Sequence, residues 1–167
     1  IHRTEHFFDK QFSEITLSVI VTAANVYDEK PWLYKDIEGF EKAGFNTIWA
    51  NEIDKNACKT YRHNFPENNL YEMDIHDIRE PKKLDYVDVI TSGFPCQAFS
   101  VAGYRQGFED EKGRGNLFFD IYKILKEKRP KAFLLENVKN LQGHDKGRTF
   151  EIIQSSLEEL GYSVIHK

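Results

Sequence analysis

Cysteine is scarce, with only Cys58 and Cys96 in 167 residues. Two thiols cannot build the disulfide framework of a small secreted domain, so reduced thiols and a cytoplasmic setting are expected. No apolar run reaches the roughly 18 residues that a membrane-spanning helix needs, and no membrane role is expected. The opening text IHRTEHFFDK is charged and lacks the apolar core of a secretion signal. Internal repeats, low-complexity tracts and Gly/Ser linkers are missing as well. Residues 1–167 therefore read as a single domain, long enough to bury a core. There is no excess of positive charge either. The net charge of −4 weighs against nucleic-acid binding by the chain as a whole. The basic stretch KILKEKRPK (123–131) reads as the solvated face and end of a helix, where cations offset the helix dipole.

What is present is an alternation of strand-like and helix-like text. Strands are expected at ITLSVIVTA (15–23), NTIWAN (46–51), LYEMD (70–74), YVDVITS (86–92) and KAFLLEN (131–137), with a further one beginning at YSVIH after Gly161. Between them, WLYKDIEGFEKAG (32–44) places Leu33, Ile37, Phe40 and Ala43 at helical spacing, with Pro31 suited to its start and Gly44 to its end. DKNACKTYRHNF (54–65), NLFFDIYKILKEK (116–128) and TFEIIQSSLEEL (149–160) are the other helices. Strands alternating with helices make an α/β fold, a mostly parallel sheet with helices on both faces.

In such sheets, ligands gather at the carboxyl ends of the strands. Four of those ends carry polar text: NEID (51–54), MDIHDI (73–78), GFPCQ (93–97) and ENVKN (136–140). Glu52, after the second strand, can accept hydrogen bonds from ribose hydroxyls. Gly93 and Pro95 break regular structure, so Cys96 falls just past a strand end and outside the run that would bury it. Glu136 follows the apolar run AFLL; if partly desolvated it can hold a proton near neutral pH, and the bland alternative is an exposed helix cap. A thiol nucleophile and a carboxyl proton donor at two strand ends form a usable catalytic pair.

GFPCQAFSVAG, GFEDEKGRGNLFFDI and LLENVKNLQGHDKGRTF occur in that order, with NEIDKNACKTYRHNF and MDIHDI before them. Over roughly residues 39–167 the chain thereby resembles the cytosine-5 DNA methyltransferases of bacterial restriction–modification systems. The form FPCQAFS is nearer to the DNA-modifying enzymes than to the tRNA-modifying branch, whose motif is usually PPCQPFT. The resemblance implies a three-layer Rossmann-like methyltransferase sheet and a bacterial cytoplasmic, nucleoid-associated enzyme. It implies S-adenosylmethionine as methyl donor, double-stranded DNA as partner and no metal. Cys96 would add to carbon 6 of a flipped-out cytosine, and Glu136 would bond to or protonate ring nitrogen 3. Glu52 would hold the ribose, Ile53 would pack on the adenine, and Asp74 and Ile75 would border it. Pro95 and Leu117 would line the cofactor pocket. Gln97, Ser100 and Arg114 would belong to the DNA-facing loop, and Asn137 would support the site beside Glu136.

Two departures from the family pattern are visible. The family follows its first strand with a glycine-rich FxGxGG turn, whereas the corresponding text here, around NVYDEKPWLY, contains no glycine. Side chains there would obstruct a ligand that needs close backbone approach, and Asp28 and Glu29 would sit beside its carboxylate. The chain is also expected to be truncated before the target-recognition region, which a missing lobe or a second chain would supply. The alternative to an active enzyme is therefore a non-catalytic or partner-dependent subunit that keeps the fold and binds cofactor poorly. A third possibility, a thiol hydrolase built on Cys96, needs a histidine base; His144 is nearest in the text, but it sits in the family-like loop LQGHDKGRTF.

Overall fold

The computed structural model of the chain describes residues 15–21, 32–94, 117–137 and 139–166. Strands β1 (Ile15–Val21), β2 (Phe45–Glu52), β3 (Asn69–Glu72), β4 (Val89–Gly93) and β5 (Ala132–Glu136) form one sheet in the order β3-β2-β1-β4-β5. Every pairing is parallel. Helices α1 (Trp32–Lys42), α2 (Lys55–Asn64) and α3 (Leu117–Lys128) lie between successive strands, and α4 (Arg148–Glu159) follows β5. The chain builds outward from β1 to β3, then returns to place β4 on the other side of β1. That reversal creates a switch point at the carboxyl edge, where open α/β sheets bind ligands. The architecture is Rossmann-like.

Local chemistry sets the helix ends. Asp54 caps α2, its Oδ1 accepting from the backbone N–H groups of Asn56 (2.9 Å) and Ala57 (2.8 Å). At the far end of α4, Gly161 takes φ +85°, and two bonds close the turn: Gly161 N–H to Glu158 O (2.8 Å) and Tyr162 N–H to Leu157 O (3.4 Å). A left-handed residue is needed there, and glycine adopts that conformation without a Cβ clash.

Two apolar cores sandwich the sheet. One packs Ile37 of α1 and Tyr61 and Phe65 of the α2 region against Phe45, Ala50 and Val89. The larger one gathers Phe118, Ile121, Ile124 and Leu125 of α3 and Ile153 and Leu157 of α4 over Trp49, Ile90 and Phe94. The β1–β2 register slips between Leu17 and Ser18, passing over Ile48. An extra residue in one strand undoes strict alternation. Ile48 and Trp49 therefore both join the larger core, and Trp49, fully buried, donates its indole N–H to Asp85 O (3.0 Å).

Two sequence expectations need correction. The YVDVITS strand starts three residues late, at Val89, leaving Tyr86 outside it and 54% exposed. Residues 162–166 form no strand. Tyr162 instead lies edge-on to Phe133 (4.9 Å), donates its hydroxyl to Pro130 O (2.7 Å) and carries Arg129 over its ring. The tyrosine is spent on side-chain packing, and no backbone ladder forms. In the basic stretch 123–131, Lys123 and Lys126 are exposed on α3, while Lys128 donates to Lys82 O and Leu84 O and Lys131 pairs with Asp88 (2.7 Å).

Candidate cofactor and active site

The parallel ladder brings the last residues of four strands into register. Glu52 of β2 stands opposite Glu72 of β3, and Gly93 of β4 opposite Glu136 of β5. Three carboxylates thus share one edge, and their surroundings differ.

At the β2–β3 end, Glu52 is 3% exposed. Its Oε1 accepts from the backbone N–H groups of Ile53 and Asp54, both at 2.8 Å. Burial pushes the Glu52 carboxyl above its ordinary range, and the two backbone donors pull partly the other way. Among the described residues Oε2 has no hydrogen-bond partner. Ile53 (47% exposed) and Met73 (38%) present apolar surface beside it. Asp74 begins the short turn Ile75–Asp77, its Oδ1 accepting from His76 N–H (3.0 Å), while Ile75 is buried in the larger core. Glu72 pairs with Arg62 (2.5 Å), outside this group.

The β4–β5 end is more open. Glu136 is exposed, so of the two readings of this carboxyl the desolvated one is set aside. The reason lies in the sheet: β5 has β4 as its only strand neighbour among the described residues, and Leu134 on the same strand is also exposed. Glu136 nonetheless reaches back over β4, because its Oε2 lies 3.7 Å from where a Cβ on Gly93 would be. Asn137 Nδ2 donates to Phe94 O (2.5 Å), and the Phe94 ring is buried against Phe118 (5.7 Å). The residue two places before Cys96 is thus held by both its carbonyl and its ring. Leu117, half-buried, opens α3 next to Phe118.

Pro95, Cys96, Gln97, Ser100 and Arg114 lie outside the described residues, as does the glycine-free stretch 22–31 that joins β1 to α1. The other thiol is accounted for. Cys58 is free and fully buried, its Sγ donating to Glu52 O (3.5 Å), and burial pushes it up to about 11. A thiol so shielded is a structural group and a poor nucleophile. His144 contacts Thr149 Oγ1 through Nδ1 (2.7 Å), which fits a loop-organising role.

Sequence reasoning missed three residues that frame the site: Asn51, His76 and Asp120. Asn51 Nδ2 donates to Tyr71 O and Met73 O, both at 2.9 Å, tying the end of β3 to β2. His76 Nδ1 lies 2.5 Å from Asp120 Oδ2, and Lys123 Nζ lies 3.2 Å from Asp120 Oδ1. MDIHDI displayed the histidine, but nothing local to it pointed to a partner on α3. No group of three or more His, Cys, Asp or Glu that could hold a metal ion occurs among the described residues. No helix among them is long and apolar enough to cross a membrane.

The family described as C-5 cytosine-specific DNA methylase matches residues 37–167. The chain belongs to that family. Among its relatives as a C-5 cytosine-specific DNA methylase, the type II methyltransferase M.Bsp6I of Bacillus sp. (strain RFL6) is 54% identical over 127 residues, covering 75% of this chain and 39% of the relative. M.SsoII of Shigella sonnei is 52% identical over 124 residues, covering 72% and 31%. The methylase chain thus spans under two fifths of the length of these relatives. Among solved structures, a prophage-encoded protein of Escherichia coli superposes with TM-score 0.60 at 22% identity, covering 87% of this chain and 38% of that one. The Dnmt2 methyltransferase of S. pombe superposes with TM-score 0.54 at 15% identity, covering 84% and 39%. These two likenesses concern the fold.

Proposed function

We propose that this chain is the cofactor-binding and nucleophile lobe of an enzyme that methylates carbon 5 of cytosine in double-stranded DNA. The observation that carries the reading is the β4–β5 end: Glu136 reaches over Gly93 while Asn137 fixes the carbonyl of Phe94, two residues before Cys96. In this reading the target base leaves the helix stack. The Cys96 thiolate adds to carbon 6, and Glu136 donates a hydrogen bond or proton at nitrogen 3, so that carbon 5 becomes nucleophilic. After methylation, carbon 5 loses its proton, Cys96 leaves carbon 6, and the ring double bond is restored.

The β2–β3 end fits S-adenosylmethionine, which supplies an electrophilic methyl group when bound. Glu52 keeps Oε2 for the ribose hydroxyls, Ile53 packs on the adenine, and Asp74 and Ile75 border it. Pro95 and Leu117 close the pocket; Gln97, Ser100 and Arg114 face DNA. Target recognition is assigned to a further lobe or a second chain, in keeping with the share of the relatives' length that these residues span. The setting is the bacterial cytoplasm, at the nucleoid.

A second reading has its own support. The family match begins only at residue 37, and residues 22–31 contain no glycine but do contain Asp28 and Glu29. On that reading the chain is a partner-dependent or non-catalytic subunit. The test is covalent trapping on duplex DNA bearing 5-fluorocytosine in the presence of S-adenosylmethionine. The enzyme reading predicts a stable protein–DNA adduct that Cys96→Ser abolishes. No adduct from the chain, alone or with a recognition lobe added in trans, contradicts it.

A further inference from the structure

We propose that Asp120, acting through His76, is a positioning residue for the adenine end of the cofactor site. This rests on the cofactor reading above. An acidic residue in the first turn of a helix is ordinary dipole compensation, and Lys123 one turn later is an ordinary partner. Neither accounts for the second carboxylate oxygen of Asp120. The residue is only 9% exposed, and it spends Oδ2 on His76, which belongs to a different element. A largely buried charge is stable only when its oxygens are matched, so the histidine is held firmly.

That hold falls on the turn that borders the proposed adenine site. His76 donates its backbone N–H to Asp74 Oδ1, so a turn held at His76 also sets the Asp74 carboxylate, whose Oδ2 has no partner among the described residues. Residues 73–76 are secured from three directions. Asn51 holds Met73 O, the core takes Ile75, and α3 takes the His76 ring. The same helix begins with Leu117, which the cofactor reading also assigns to the pocket. The His76–Asp120 pair therefore ties the turn that would border the adenine to the helix that carries Leu117. Lys123 shares the carboxylate without touching the turn, which makes it a built-in control.

The experiment is calorimetric titration of the chain with S-adenosylhomocysteine and, separately, with adenosine. His76→Ala and Asp120→Ala are expected to weaken both ligands by the same factor, about 2- to 30-fold, the usual span for coupling through a packed network. The double variant should lose no more than either single one, because the two residues act as a unit. His76→Gln, which restores a donor, should recover most of the affinity, and Lys123→Gln should leave it unchanged. Melting temperatures measured alongside separate positioning from folding. Wild-type binding with unchanged affinity in the alanine variants overturns the inference alone. So does a Lys123→Gln loss equal to that of His76→Ala. A wild-type chain that binds neither ligand overturns both this inference and the cofactor reading.

Discussion

The two ends of one sheet edge carry the same residue type in opposite settings. Glu52 is buried and bonded to its own chain's backbone, whereas Glu136 is exposed and leans over the neighbouring strand. The β2–β3 end is finished by a carboxylate turned onto the next two N–H groups, a capped helix and a turn pinned by Asn51 and Asp120. The β4–β5 end is prepared as an anchorage, with Phe94 fixed by ring and carbonyl just before the segment that bears Cys96. A binding site gains from being preorganised before its ligand arrives. A reactive site that must admit an extruded base gains from staying open until the base is in place.

The sharpest way to separate the ends is Cys96→Ser. It should abolish trapping on 5-fluorocytosine DNA while leaving S-adenosylhomocysteine affinity as in the wild type. Loss of both would mean that the ends are not independent. Glu136→Gln should slow adduct formation by about 10²-fold, the scale of lost acid–base help, again with cofactor affinity intact. An unchanged rate would make Glu136 structural. At the other end, Glu52→Ala should weaken S-adenosylhomocysteine by about 10- to 100-fold, the cost of a charged hydrogen bond, and equal calorimetric affinities would remove Glu52 from the ribose.

The mildest test uses pH. The Glu52 carboxyl sits above its ordinary range because of burial, so the folded chain holds that proton more tightly than the unfolded chain does. Stability from this group is therefore lost as pH rises from the ordinary carboxylate range through the raised value. Glu52→Gln keeps an oxygen for the Ile53 and Asp54 N–H groups and removes the charge. Its melting temperature should exceed the wild type's near neutrality, and the gap should shrink as pH falls through that window. A gap that does not change with pH would contradict the burial assignment.

The sheet and the four α-helices of the described residues were legible in the sequence because β-branched runs and helical spacing are local signals. Gly44 and Gly161 marked helix ends correctly, and both have positive φ. The slip at Ile48 was not legible, because NTIWAN reads simply as a strand and only the register against β1 reveals the extra residue. YSVIH misled for the converse reason: its β-propensity is genuine, but Tyr162 is committed to Phe133 and Pro130. Glu52, Asp74 and Glu136 were singled out by their place after strands, and the structure puts them at or just past the ends of β2, β3 and β5. Their environments were not legible, since the exposure of Glu136 depends on its neighbours in the sheet. The partner of His76 lies on a helix far along the chain, where no periodicity could connect them.

On the proposed function, the β2–β3 end binds an adenosyl ligand despite a glycine-free connection after β1. Titration of the purified chain with S-adenosylhomocysteine tests it without DNA. Saturable binding is expected, with a dissociation constant on the order of 1 μM, about −8 kcal/mol. No binding heat at ligand concentrations a hundredfold higher would contradict it, and would leave a methylase fold holding its thiol and carboxyl without a methyl donor.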